Sequence, residues 1–313
     1  MKIDIIKVPL FYGCDREGVE EGPQTLMDNG LIDLMQGNGL VVQDKGFVNV
    51  PLLMEKDKYC ADPHMKYLDA VISTNEDLAR MVSASLEEGG LPFTIGGDHS
   101  LGLGSLAGTS KVNGNQIGII WIDAHADVNT PETSPSGNIH GMPLGASMGE
   151  GPECLTKICS ADQKVNPRNC FIIGGHSIDD GEVEIIDRLG INVWYMDEIR
   201  EKGMGIVILE LLELLKARNI TDLHISYDID SLDSRLVPGT GTPVVGGLEY
   251  DESEQLIKAV IATEMVRSID FVEFNPKRDT PEKITLKSAL RMLKAFAEAL
   301  GALNKKKQQE ISA

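Results

Sequence analysis

The sequence predicts an α/β fold around a buried, largely parallel sheet, and three observations predict it. Seven short β-rich runs read as strands, most of them apolar throughout, as strands covered on both faces are. Segments with apolar residues at helical spacing lie between them. The polar clusters fall at the carboxyl ends of the predicted strands, the edge at which open α/β sheets bind ligands.

Along the chain, "KIDIIKVP" from Lys2 is the first strand, and "MKYLDAVISTNEDLARMVSASLEEGG" from Met65 is a helix closed by glycine. The strands "LPFTIGG" from Leu91, "QIGIIWID" from Gln116, "NCFIIGG" from Asn169 and "INVWYMD" from Ile191 follow. A helix, "GIVILELLELLKARNI" from Gly205, then precedes the strand "DLHISYDID" from Asp222. The helix "YDESEQLIKAVIATEM" from Tyr250 leads to a last strand, "IDFVEFNP" from Ile269. With no Pro/Ser-rich linker and no internal repeat, residues 1–304 are expected as a single domain and 305–313 as a solvated, disordered tail.

A chain of 313 residues with 42% apolar and 25% charged side chains can bury a sizeable core. Its net charge of −19 argues against a nucleic-acid partner and mildly favours a cationic substrate. No apolar run approaches the roughly 18 residues that span a bilayer, and Met1 to Leu10 lacks the basic start and long apolar core of a signal peptide. A cytoplasmic protein without a membrane partner is therefore expected. The five cysteines are scattered and form no CxxC, so they are expected to be reduced and structural.

The most informative stretch is "WIDAHADVNTPETSPSGNIHG", Trp121 to Gly141. An extended strand would send Asp123, His125 and Asp127 to one side, where buried carboxylates need cations or metal ions. His99 in "GGDHS" and Asp228 and Asp230 in "DID" stand at other strand ends. Each piece alone has a plain alternative: "DxD" is commonly a turn, and Asp98 or Ser100 can cap a helix with His99 a bystander. Together they offer two imidazoles, four carboxylates and no thiolate, too many for one tetrahedral site. Ligands two apart on a strand are roughly 6.6 Å apart while ligand atoms sit about 2 Å from a metal, so paired ions with bridging carboxylates fit better. The ligand set suits manganese, with zinc, cobalt or nickel as other occupants. Four carboxylates cancel two divalent charges, and a bridging water there can lose a proton, which predicts metal-assisted hydrolysis.

"GGDHSLGLGS", "WIDAHADVNTPETSPSGNIHGMP", "SYDIDSLDSRLVPGTGTPVVGGL" and "EFNP", in this order, resemble the arginase branch of the ureohydrolase family. The resemblance implies a three-layer α/β/α sandwich with a largely parallel sheet and a pair of Mn(II) ions per chain. It further implies hydrolysis of a guanidinium to urea and an amine, with L-arginine as substrate. Carried over, one ion takes His99, Asp123, Asp127 and Asp228, and the other Asp123, His125, Asp228 and Asp230, with Asp123 and Asp228 as bridges. Glu273 in "EFNP" would hold the guanidinium, His140 would move a proton to the departing amine, and Asp127 would accept a hydrogen bond from the nucleophile.

Family arginases differ from agmatinases in the loop after "DAHAD", where Asn129, Ser136 and Asn138 offer neutral groups to an α-carboxylate and Ser134 a further one. Asp179 and Glu182 match acidic residues facing the α-amino group, and Thr242 matches a pocket position. His176 and Ser177 depart from the pattern, standing where arginases commonly show Arg and Asp. Agmatine or a guanidino acid is the alternative substrate, and a metal-binding homologue without turnover the alternative class. A trimer or hexamer is what the family suggests. His64 and His224 are expected to be structural.

Overall fold

All seven expected strands form in the computed structural model, which describes residues 1–312, and an eighth joins them. They are β1 (Lys2–Val8), β2 (Val41–Phe47), β3 (Leu91–Gly96), β4 (Gly118–Ile122), β5 (Cys170–Gly175), β6 (Asn192–Tyr195), β7 (Leu223–Asp228) and β8 (Val266–Val272). The order across the sheet is β2-β1-β3-β8-β7-β4-β5-β6, and every neighbouring pair is parallel. The strand the sequence did not reveal, β2, is an edge strand whose "VVQDKGF" is mostly exposed. Its main attachment is backbone pairing to β1, which leaves little apolar pattern to read. The last strand begins three residues before the expected Ile269, at Val266.

Alternation along the strands divides the core into two layers. Ile3, Ile5, Phe93, Ile120, Tyr227 and Phe271 face the helices Leu31–Gly37, Met204–Ala217, Tyr250–Ala262 and Ile284–Ser312. On the opposite side, Ile6 and Val8 meet the helix Leu68–Glu87. Ile119, Trp121 and Ile172 meet Leu106 of the helix Gly102–Asn113 and Ile185 of the helix Asp180–Leu189. The result is the three-layer α/β/α sandwich with the strand carboxyl ends on one edge.

Of the eleven α-helices among the described residues, only Leu68–Glu87, Met204–Ala217 and Tyr250–Ala262 were expected; the two longest of the others are Gly102–Asn113 and Ile284–Ser312. "GLGSLAGTSKVN", with three glycines, forms the helix Gly102–Asn113. Its glycines serve close approach: a Cβ on Gly104 would lie 2.4 Å from the Asn75 carbonyl oxygen, and one on Gly108 2.6 Å from that of Ala79. The helix Ile284–Ser312 buries Ala289, Met292, Leu293, Phe296, Ala297 and Leu300, spaced at three and four residues. The stretch from residue 305, expected as a disordered tail, continues this helix to Ser312, with Lys306 paired to Glu264; Ala313 lies outside the described residues. No helix among the described residues is long and apolar enough to cross a membrane. Cys14 and Cys170 are buried and structural as expected, whereas Cys60, Cys154 and Cys159 are exposed, and none of the five is in a disulfide.

If close approach is what Gly104 provides, Gly104→Ala will cost about 1–3 kcal/mol because the backbone oxygen it meets cannot move aside cheaply. Gly205→Ala, in a helix with open space around it, will be neutral or stabilise by up to about 1 kcal/mol. Urea denaturation of both variants checks this, and similar midpoint shifts would contradict it.

Candidate metal centre and substrate cavity

His99 lies just beyond β3, after Gly97 and Asp98, in a short 3-10 turn, His99–Leu101. The turn is capped by Asp98, whose carboxylate accepts the amides of Ser100 at 3.0 Å, Gly13 at 2.8 Å and Cys14 at 3.1 Å. The capping reading of "GGDHS" is thus correct, and His99 is in the cluster as well. Its ring stacks on the Trp121 indole at 4.1 Å between centroids and 4° between planes. Nε2 lies 2.7 Å from the Ser226 hydroxyl. The remaining nitrogen, Nδ1, lies 3.0 Å from Asp123 Oδ2, 3.0 Å from Asp127 Oδ2 and 3.2 Å from Asp228 Oδ2. It forms no hydrogen bond with good geometry to any of them.

The "DAHAD" carboxylates do not converge by strand alternation. β4 ends at Ile122, residues 123–125 bend, and Asp127 has a left-handed φ of 53°. The correction has a physical cause: an extended backbone keeps alternate side chains roughly 6.6 Å apart, whereas a bend lets Asp123 fold back on its neighbours. Asp123 Oδ1 accepts the His125 amide at 2.7 Å, and its Oδ2 accepts the Trp121 indole N–H at 3.0 Å. His125 Nδ1 lies 3.4 Å from Asp123 Oδ1 and 3.3 Å from Asp230 Oδ2. Asp228 ends β7 and its Oδ1 accepts the Asp230 amide at 2.8 Å, while Asp230 Oδ2 accepts the Thr242 hydroxyl at 2.9 Å.

Two groups could therefore hold a metal ion, His99 with Asp123 and Asp127, and Asp123 with His125 and Asp230. In each, the ligand atoms lie within 4.8 Å of one another, and Asp123 belongs to both. If Nε2 of His99 donates to Ser226, Nδ1 presents a lone pair to three carboxylate oxygens, an arrangement that only a cation makes favourable. The donor set of imidazole and carboxylate suits manganese and its neighbours.

Without an ion, the imidazoles supply the positive charge. Burial pushes the pKa of His99 and His125 down, but the aspartates around each outweigh it and raise both well above the usual histidine value. Burial and then repulsion from Asp230 and Asp123 hold Asp228 well above the carboxylate range. Burial and then Asp123 push Asp127 up to about 6. Asp123 itself is lowered: burial works against this, and the His125 and His99 imidazoles held close to it overcome it.

A cavity of about 200 Å³ opens beside the cluster, lined in part by His99, His125, Asp127, Asp228 and Asp230. His140 lines it too, with Nδ1 3.2 Å from Glu273 Oε1. Glu273 is fully buried at the end of β8, with a left-handed φ of 67°. Oε1 also accepts the His99 amide at 2.9 Å, and Oε2 has no partner. Burial lowers the pKa of His140, the Glu273 carboxylate raises it, and the carboxylate wins.

The expected substrate residues reach this cavity together: Asn129, Ser134, Ser136, Asn138, Asp179, Glu182 and Thr242 all line it, and so does Ser177. Their states differ. Asn129 donates to Asp179 Oδ2 at 3.0 Å and accepts from the Thr133 hydroxyl at 2.8 Å. Glu182 is already spent on structure, its two oxygens accepting the amides of Val128 at 3.1 Å and Asp179 at 3.0 Å. Burial pushes its carboxyl up to about 7. His176 turns inward, Nδ1 donating to the Gly174 carbonyl at 2.6 Å. His224 is structural, buried between Ser268 and Asp270, and His64 is exposed.

Sequence reasoning missed Trp121 and Ser226. The signal was present: Ser226 is two residues before Asp228 on the same face of β7, and Trp121 is two residues before Asp123, at the end of β4.

The Arginase family matches residues 1–297. An arginase of Bacillus subtilis (strain 168) is 42% identical over 294 residues, covering 94% of this chain and 97% of that protein. The crystal structure of arginase from Bacillus subtilis subsp. subtilis str. 168 superposes with a TM-score of 0.87 at 40% identity, covering 95% of this chain and 98% of that one. The Entamoeba histolytica arginase in complex with L-ornithine gives 0.85 at 34% identity, covering 94% and 98%.

Metal loading requires these groups deprotonated, so the raised pKa values carry a sign. At pH 7 the metal-free His99 and His125 hold protons. Adding Mn(II) will therefore release protons, and affinity will fall as pH falls below their raised values. Calorimetry in two buffers of different ionisation heat measures the release; binding with no proton change would contradict it.

Proposed function

The chain belongs to the arginase family and hydrolyses L-arginine to L-ornithine and urea, and from that premise we propose how its own residues do so. The observation carrying the reading is the pair of acid–imidazole groups sharing Asp123 beside the unpaired, buried Glu273 Oε2. A pair of manganese ions, held by His99, Asp123, Asp127 and Asp228 and by Asp123, His125, Asp228 and Asp230, would supply Lewis acidity that activates water at neutral pH.

Glu273 orients the guanidinium: its free Oε2 matches an N–H of the substrate, and its negative charge offsets the cation's desolvation. Asp127 accepts a hydrogen bond from the attacking water and directs its lone pair at the guanidinium carbon. As the tetrahedral centre collapses, the bond to the ornithine nitrogen breaks. His140, whose protonated form the Glu273 carboxylate favours against burial, gives its proton to that leaving amine. With Nδ1 tied to Glu273, Nε2 is the nitrogen left for this transfer.

Selectivity lies in the outer cavity. Asn129, Ser136 and Asn138, with Ser134, hold the α-carboxylate, Asp179 takes the α-amino group, and Thr242 steadies Asp230. Glu182 acts through Asp179, fixing its backbone rather than touching substrate. We extend the reading to a single domain that includes the whole of the last helix, and to a cytoplasmic homo-oligomer, a trimer or hexamer, on family likeness.

Two outcomes are expected. Asp123→Ala will lose more activity than His99→Ala, because Asp123 belongs to both metal groups; urea release after manganese loading measures this, and small, equal losses would contradict it. Agmatine lacks the carboxylate, so arginine will be preferred at least about a hundredfold in kcat/KM, each unpaired polar group costing roughly 1–3 kcal/mol. Asn129→Ala will narrow that gap, whereas equal loss with both substrates would make the loop structural.

A further inference from the structure

Asn138 is held from behind by two groups outside the cavity. The Lys66 ammonium donates to its Oδ1 at 2.8 Å, and its Nδ2 donates to the Cys14 carbonyl at 3.0 Å. These partners are chemically opposite. An ammonium only donates and a carbonyl only accepts, so both demand the same orientation of an amide whose two ends are nearly isosteric. One Nδ2–H is used by Cys14, and the other is left over.

The backing is built. The Lys66 amide donates to the Gly137 carbonyl at 3.0 Å, joining its segment to the cavity loop one residue before Asn138. Gly137, with a φ of 71°, sits so close that a Cβ there would lie 2.6 Å from the His64 carbonyl oxygen. The Lys66 ammonium is itself anchored 3.0 Å from Asp15 Oδ2, which Lys58 also contacts at 3.0 Å. Lys58 in turn lies 2.7 Å from Glu55. Two lysines thus face two carboxylates, and the cluster carries no net charge to attract an anion. What it can impose is orientation.

We propose that Lys66 is a positioning residue for substrate selectivity, holding the Asn138 amide so that an N–H, and not the carbonyl, is offered to the α-carboxylate. The inference rests on the reading that Asn138 anchors that carboxylate. With the ammonium gone, the Cys14 carbonyl alone holds that orientation, and the amide turns its carbonyl toward the carboxylate more readily, weakening the attraction.

The test compares Lys66→Met, Asn138→Ala and the double variant in the manganese-loaded enzyme, with arginine and agmatine as substrates. Lys66→Met keeps the aliphatic stem. It is expected to raise KM for arginine about tenfold, the loss of a hydrogen bond to a charged group, with kcat little changed. Agmatine kcat/KM stays level, and the double variant is no worse than Asn138→Ala alone. Asn138→Asp, which keeps an acceptor for Lys66 but has no N–H to offer, raises KM for arginine at least as much. Equal losses with both substrates in Lys66→Met, or additive losses in the double variant, would make Lys66 structural and overturn the proposal. If Asn138→Ala leaves KM for arginine unchanged, the carboxylate reading itself falls and the proposal falls with it.

Discussion

Four aspartates, two histidines and a glutamate drawn from the ends of four strands cannot share a dry pocket unless positive charge is brought to them. Asp123, Asp228, Asp230 and Glu273 are almost wholly buried, and His99 Nδ1 sits among three carboxylate oxygens with no hydrogen bond. Without metal the histidines hold protons and Asp228 is pushed toward its neutral form. Each of these compromises disappears when a divalent ion replaces the protons. The site is therefore organised around a charge the side chains do not themselves supply.

The fold exists to hold that arrangement still. Parallel strands deliver their carboxyl ends to one edge, so β3, β4, β7 and β8, separated by up to 174 residues in sequence, meet there. Trp121 and Ser226 lock His99 from its face and its far nitrogen, and Asp98 ties the 3-10 turn to Gly13 and Cys14. The same Cys14 segment supplies a carbonyl to Asn138, linking the metal turn to the outer cavity. Specificity and chemistry thus share one scaffold.

The sheet, and most of the residues that line the candidate cavity, were legible in the sequence, because buried parallel strands and ionisable residues at their ends are local patterns. What was not legible depends on contacts between distant segments. The Gly102–Asn113 helix went unassigned because its glycines weaken the helical pattern, and what they serve shows only against Asn75 and Ala79. β2 carries little apolar pattern because it is an exposed edge. The convergence of Asp123, His125 and Asp127 was foreseen but its route was not, since a left-handed Asp127 leaves no mark in a single sequence. Glu182 looked like a substrate group by position, and only the amides of Val128 and Asp179 reveal that both of its oxygens are occupied.

The central claim is that two ions share Asp123 at the strand edge. Anomalous scattering at the manganese absorption edge, from crystals of the manganese-loaded protein, tests it most directly. The account predicts two peaks, one beside His99 and Asp127, the other beside His125 and Asp230, with the Asp123 carboxylate between them. A single peak, or density away from Asp123, would contradict it.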